Sequence, residues 1–104
     1  MLFDASELDT AIHGPVRLGA VAALHVDGPL DFTSLKKRLR ISDGALGIHL
    51  QKLEMAGYIT CTKAFIGRRP RTTYKLTPQG HKAFAAYLDQ MQLLLDAARA
   101  EKGK

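Results

Sequence analysis

The stretch DFTSLKKRLRISDGALGIHLQKLEMAG, residues 31–57, decides how this chain folds. Asp31 stands where a side chain caps the N-terminus of a short helix over Phe32 to Arg38, with Phe32, Leu35 and Leu39 on one face. Ile41-Ser42-Asp43-Gly44 then makes a tight connection, and Ser42 is the expected cap of the next helix. At 100° per residue, Leu46, Leu50 and Leu53 of that helix lie within about 60° of one another. One face is thereby committed to a core. The helix is expected to end at Ala56-Gly57, where glycine tolerates the left-handed backbone that terminates helices.

Beyond Gly57 the period changes. Tyr58, Thr60 and Thr62 alternate against Ile59, Cys61 and Lys63, which predicts a strand from Tyr58 to Phe65. Gly67-Arg68-Arg69-Pro70-Arg71 reads as a turn and Thr72 to Leu76 as the returning strand. Thr77-Pro78 is a cap followed by proline at the first helical position. It opens a long helix over 78–100, with Phe84, Leu88, Met91, Leu94, Leu95 and Ala98 as its apolar positions. Upstream, Ser6 to Ile12 predicts a short helix capped by Asp4 or Ser6. Pro15 begins another, in which Leu18, Val21 and Leu24 recur until Asp27-Gly28-Pro29. The expected class is α+β, mainly α, in a single domain over 1–104. Within it, 31–57 is a helix-turn-helix, 58–77 a two-stranded wing, and a long C-terminal helix closes the chain.

The charge follows this division. The chain has 104 residues, 46% hydrophobic and 24% charged, with 15 Lys and Arg against 10 Asp and Glu. Between Lys36 and Lys75 there are ten cations (Lys36, Lys37, Arg38, Arg40, Lys52, Lys63, Arg68, Arg69, Arg71, Lys75) and two anions (Asp43, Glu54), a balance of +8. The remainder has five cations and eight anions, a balance of −3. A basic middle between near-neutral flanks is the footprint of a nucleic-acid surface, although a solvated basic face has the same composition. No apolar run reaches the roughly 18 residues of a membrane span, and no secretory signal pattern opens the chain, so a cytoplasmic address is expected.

Several segments together carry a resemblance: Gly14-Pro15-Val16-Arg17-Leu18, Phe32-Thr33-Ser34-Leu35, Ser42 with His49-Leu50 and Leu53-Glu54, Gly57-Tyr58-Ile59, Gly67 to Thr73, and Tyr74-Lys75-Leu76-Thr77-Pro78-Gln79-Gly80. In this order they resemble the winged helix-turn-helix transcription regulators of the MarR/ArsR type, over about residues 12–90. The resemblance implies double-stranded DNA binding by a homodimer that regulates transcription, most often as a repressor. It further implies that the terminal helices, 5–12 and 78–100, pair across a two-fold axis. Leu8, Ile12, Phe84, Tyr87, Leu88, Met91, Leu94, Leu95 and Ala98 are the candidate interface residues.

The residues supply the same mechanism. With the three leucines facing inward, Gly44, Ile48 and Gln51 lie opposite, flanked by Ala45, Gly47 and Lys52. Gln51 can bond bidentately to adenine, and Ile48 or Ala45 can touch a thymine methyl. Gly44 and Gly47 read in two ways, as close backbone approach to DNA or as poor direct readout. Lys36, Lys37 and Lys52 suit phosphates. Thr33 and Ser34, in a first helical turn, and Ser42 are further candidates for the backbone of the duplex. Arg68, Arg69, Arg71 and Thr73 extend the surface along the wing.

Other chemistry has little support. ArsR-type metal sensing requires paired cysteines that Phe32-Thr33-Ser34-Leu35-Lys36-Lys37-Arg38 lacks, and His13, His25, His49 and His81 are scattered in sequence. No metal or cofactor is therefore expected. Cys61 excludes an internal disulfide and reads either as a small buried hydrophobe or as a redox switch. No phosphate-cradling loop, nucleophile elbow or zincin pair is present, so no enzyme activity is expected. Any small-molecule effector is expected between helices of the dimer. Two alternatives stay open: a winged-helix module for protein–protein contact, and an architectural nucleic-acid binder with little sequence preference.

Overall fold

A computed structural model describes residues 5–102, with side chains over 6–100. Its elements are a 3-10 turn Ala5–Glu7, α1 (Pro15–Asp27), β1 (Leu30–Asp31), α2 (Phe32–Leu39), α3 (Asp43–Met55), β2 (Ile59–Ile66), β3 (Arg69–Leu76) and α4 (Pro78–Lys102). The strands form one antiparallel sheet in the order β1-β3-β2. Helices α1, α2 and α3 pack around Val21, Leu24, Leu35, Leu46, Leu50 and Leu53, and the sheet and α4 close this core with Ile59, Tyr74, Leu76, Phe84 and Tyr87. This is the winged helix architecture, mainly α with a hairpin wing and a long last helix.

The caps fall where their side chains were expected. Asp31 Oδ1 accepts from the Ser34 N–H at 2.8 Å, and Ser42 Oγ from the Ala45 N–H at 3.3 Å. At the end of α3, Gly57 has φ 82°, and the Tyr58 and Gly57 N–H groups donate back to Leu53 and Glu54 carbonyls. That paired return satisfies two terminal carbonyls and turns the chain directly into β2. Thr77 caps α4 through Gly80 N–H to Oγ1 at 2.9 Å, while its hydroxyl donates to the Gly57 carbonyl at 2.7 Å.

Three expectations need correction. The helix expected from Ser6 to Ile12 is only the turn Ala5–Glu7; Asp4, one of its proposed caps, lies outside the described residues. Asp9 ends the turn by accepting the Ala11 N–H on Oδ1 and the Ile12 and His13 N–H groups on its carbonyl. Local side-chain acceptors of this kind compete with helix. The wing turn is Gly67-Arg68 alone, with Gly67 at φ 64°, the glycine-first pattern of a tight hairpin. Arg69, Pro70 and Arg71 therefore belong to β3. Pro70 is tolerated because β1 pairs only at Thr73 and Tyr74, leaving β3 unpaired on that side at Pro70. Finally, Ile12, Phe84 and Tyr87, expected on a dimer face, are buried in the chain's own core and leave almost no surface for a second copy.

Helix α4 outruns the body. Twenty-five residues span about 37 Å, and the molecule measures 62 × 25 × 21 Å. Its radius of gyration is 16.0 Å, against about 13 Å for a compact chain of this length.

The start of α4 leaves no room for a side chain at Gly80. A β-carbon there would lie 2.1 Å from the Tyr58 carbonyl oxygen, which is already held by the Thr77 N–H. Gly44 and Gly47 on α3 have nothing within 4 Å of the same position. Gly80→Ala is therefore expected to cost about 2 kcal/mol or more, whereas Gly47→Ala gains about 1 kcal/mol from helix propensity. Urea unfolding midpoints of the two variants should move in opposite directions.

Candidate nucleic-acid interface

Burial of Leu46, Leu50 and Leu53 fixes the rotation of α3. Opposite them, Gly44, Gln51 and Lys52 are exposed, Ile48 is 58% exposed, and Ala45 and Gly47 are half-buried beside it. The surface expected to meet a major groove is thus open along the helix. Asp43, in its first turn, complements the positive end of the helix dipole.

The flanking cations are less free than their positions in sequence suggest. Lys36 Nζ reaches Asp43 Oδ1 at 2.7 Å, so one candidate phosphate contact is committed to pinning α2 against the start of α3. Both groups are largely exposed, and such a pair contributes under about 1 kcal/mol. A duplex phosphate competes readily with it. Lys37 is exposed. Arg38 is bonded to Asp27 at the end of α1. Ser42 is spent on its cap, although its side chain stays exposed.

The wing is joined to the helix-turn-helix at one point. Arg71 Nε lies 3.3 Å from Asp31 Oδ2, the carboxylate whose other oxygen caps α2. The hydrogen bonds from Ser34, and then the Arg71 charge, hold the Asp31 carboxyl below its ordinary range. A cleft of about 580 Å³ follows, with Thr33 on the α2 side and Arg69, Pro70, Arg71 and Ile66 on the wing side. The structure therefore brings Thr33, Arg69 and Arg71 to one place. Thr73 sits lower, paired with both Asp31 and Thr62 in the sheet. Arg68 occupies the exposed turn.

Arg17 and His49 form a link that the sequence pattern did not show. Arg17 donates from Nε to the Ala11 carbonyl at 2.8 Å and from Nη2 to the Thr10 carbonyl at 3.3 Å. Its Nη1 lies 3.0 Å from His49 Nδ1. A guanidinium only donates, so Nδ1 accepts and the imidazole proton sits on Nε2. Burial first, then the Arg17 and Lys52 charges, hold His49 below its usual 6.5. Only the fold could reveal this link, because its carbonyls come from an irregular segment.

The histidines are likewise less scattered in space than in sequence. His25 Nδ1 and His81 Nδ1 are 3.1 Å apart between α1 and α4. Among the described residues, no three of His, Cys, Asp or Glu gather as a metal site, and no helix is long and apolar enough to cross a membrane. Cys61 is half-buried opposite Tyr74, whose hydroxyl pKa is pushed up to about 12 by burial and then by the Cys61 and Glu54 groups.

A capped helix pair with an open second helix, continued by a basic hairpin, defines the winged helix class. The family of winged helix DNA-binding domains matches residues 16–95, and the chain belongs to that family. An uncharacterized protein of Methanocaldococcus jannaschii is 37% identical over 73 residues, covering 70% of this chain and 79% of that protein. A solved transcriptional regulator homologue from Pyrococcus horikoshii OT3 superposes with TM-score 0.79 at 28% identity, covering 85% of this chain and 87% of that one. A protein assigned to the MarR family from Enterococcus faecalis V583 gives TM-score 0.77 at 23% identity, over 91% and 86% of the two chains.

The burial of His49, and then the Arg17 and Lys52 charges beside it, make stability depend on pH. His49 protonates below 6.5 when folded and near 6.5 when unfolded. Across that window the unfolded chain binds more protons, so this contribution is complete above pH 6.5 and declines as pH falls toward the folded value. His49→Asn keeps an acceptor for Arg17 but removes the titration. Its urea unfolding free energy should fall less steeply on acidification than that of the parent chain.

Proposed function

We propose that the chain is a sequence-specific double-stranded DNA-binding transcription regulator, acting as a repressor and as a homodimer. Helix α3 enters the major groove, and the wing lies on the adjacent minor groove or its phosphates. The observation that carries this reading is the division of α3. Leu46, Leu50 and Leu53 are sealed in the core, while Gly44, Ile48, Gln51 and Lys52 form an open face in a segment of balance +8. Gln51 reads adenine and Ile48 a thymine methyl. Lys37, Lys52 and Thr33 hold phosphates, with Lys36 joining them when a phosphate replaces Asp43. The transcriptional regulator homologue from Pyrococcus horikoshii supports the regulatory role.

The dimer is formed by the outer part of α4. Leu88 and Leu95 are 48% and 44% exposed, with Met91 and Leu94 half-buried and Ala98 exposed on the same helix. This part of the helix lies where the chain extends beyond a compact body. Apolar residues at 88, 91, 95 and 98 repeat with the three–four spacing of a helix-pairing seam. Leu8, half-buried beside the core, completes the face. Pairing there sets two α3 helices against successive half-sites. A cleft of about 630 Å³ between residues 6–10 and α4, lined by Tyr58, Lys82, Ala86 and Tyr87, is the room available for a small-molecule effector.

The test is a fluorescence-anisotropy titration of the duplex upstream of the chain's own gene against a scrambled duplex, across a salt series. Selective binding with a steep negative salt slope is expected. Gln51→Ala should lose about 1–3 kcal/mol on the selected site and little on the scrambled one. Equal affinity of the parent chain for both duplexes, maintained after unbiased site selection, would establish the architectural reading instead. No salt-dependent binding would leave the protein-interaction module.

For the dimer, sedimentation equilibrium of the parent chain should give twice the chain mass. Leu88→Glu with Leu95→Glu should give a folded monomer that binds a two-half-site duplex more weakly. A monomeric parent chain at working concentration would remove α4 pairing from the mechanism.

A further inference from the structure

The wing carries apolar side chains that electrostatic DNA binding does not use. Phe65 is 73% exposed and Ile66 57%, although both sit on a strand beside arginines. Pairing with β1 stops at Thr73, so from Thr72 and Lys63 outward the hairpin is two strands with no third neighbour. On the last two rungs Phe65 stands opposite Pro70, and Ile66 opposite Arg69. Directly behind the Gly67-Arg68 turn, Phe65 and Pro70 therefore share one face of the hairpin, and Ile66 lies beside Arg69 on the other.

The charge around them selects the partner. Residues 60–76 hold Lys63, Arg68, Arg69, Arg71 and Lys75 and no acidic residue. A second copy of the wing would bring like charges together, so self-association at this surface is disfavoured. A polyanion that also offers apolar surface is required. Phosphates have no use for Phe65 or Ile66; the sugar edges and base faces of a minor groove do. Phe, Ile and Pro are among the side chains that enter minor grooves and part a base step.

We propose that the wing is an apolar wedge: Phe65, with Pro70 opposite it on the same face of the hairpin, enters the minor groove at a flexible pyrimidine–purine step and bends the duplex, while Arg68 and Arg69 hold the flanking phosphates. The inference rests on the DNA-binding reading above and adds shape readout to it. Sites with a deformable step at the wing position bind more tightly than sites with a stiff A-tract there, without a base-specific hydrogen bond.

The experiment uses the full chain and duplexes from site selection with the parent protein, labelled at both ends for energy transfer. One duplex keeps a TA step at the wing position and another carries AA there. Binding by the parent chain should shorten the end-to-end distance on the TA duplex. Phe65→Ala should bind roughly tenfold or more weakly, abolish the shortening and leave the salt slope unchanged, because no phosphate contact is lost. Since Phe65 is exposed, its thermal midpoint should stay at the parent value, and Phe65→Leu should restore part of the bend. Arg68→Ala with Arg69→Ala should instead lower the salt slope by about 2.

Salt-dependent binding without bending, or equal bending by Phe65→Ala, overturns the wedge and leaves the DNA-binding reading intact. Absence of salt-dependent binding by the parent chain overturns both. Polyglutamate that displaces the duplex as well as unlabelled duplex does, at equal charge, assigns the surface to acidic polypeptides and also overturns the wedge.

Discussion

Everything on the DNA side of this molecule depends on the burial of three leucines. Leu46, Leu50 and Leu53 are almost fully removed from water among Leu35, Val21 and Leu24, each such burial being favourable by about 1.5–3 kcal/mol. Rotating α3 by a single position, about 100°, would turn all three away from the core and bring Gly47, Gln51 and Glu54 in their place. The helix therefore has one stable rotation, and that rotation faces Gly44, Ile48, Gln51 and Lys52 outward. Which side chains α3 turns to solvent is a by-product of a core constraint.

A second set of interactions orients the remaining parts against α3. Tyr58 stands at the crossing point. Its backbone closes α3 and accepts the Thr77 N–H, and its carbonyl fills the space over Gly80. Its hydroxyl donates to Asp9, and that hydrogen bond, then burial and the Asp9 charge, push the phenol up to about 12. The N-terminal segment, the wing base and α4 thus meet on one residue, and Arg17 ties the same N-terminal segment to His49 on α3. At the other side, Asp31 caps α2 and holds Arg71 of the wing. The exposed face of α3 and the wing are consequently oriented by polar links, most of them part-buried. Of these, the partly exposed Arg71–Asp31 pair fixes orientation with little stabilisation.

The distribution of apolar residues separates two tasks along the chain. Those at 12, 84 and 87 complete the core, Met91 packs partly against it, and Leu88 and Leu95 are exposed on the helix that continues past the body. A helical stripe is continuous in sequence but changes role where the body ends. On the wing the same chemistry appears without any body to cover it, at Phe65 and Ile66, among cations only.

The sequence by itself determined the four main helices and the wing strands, the caps of α2, α3 and α4, and the exposed face of α3. Those follow from local rules: helical spacing of Leu46, Leu50 and Leu53, capping by Asp31, Ser42 and Thr77, and alternation after Gly57. It also placed the cations, since charge is composition. It did not determine what each cation or apolar residue touches. The Lys36–Asp43 and Arg71–Asp31 pairs, the Arg17–His49 link and the meeting of His25 with His81 join residues distant in sequence or in different elements. The turn at Asp9 takes the place of an expected helix, and Gly67-Arg68 closes the wing where the turn was expected to run from Gly67 to Arg71. Two-residue β1 left no periodic signal at all. Which apolar residues belong to the core and which face outward was decided by tertiary structure, because burial depends on where the rest of the chain ends and not on the spacing of the residues themselves.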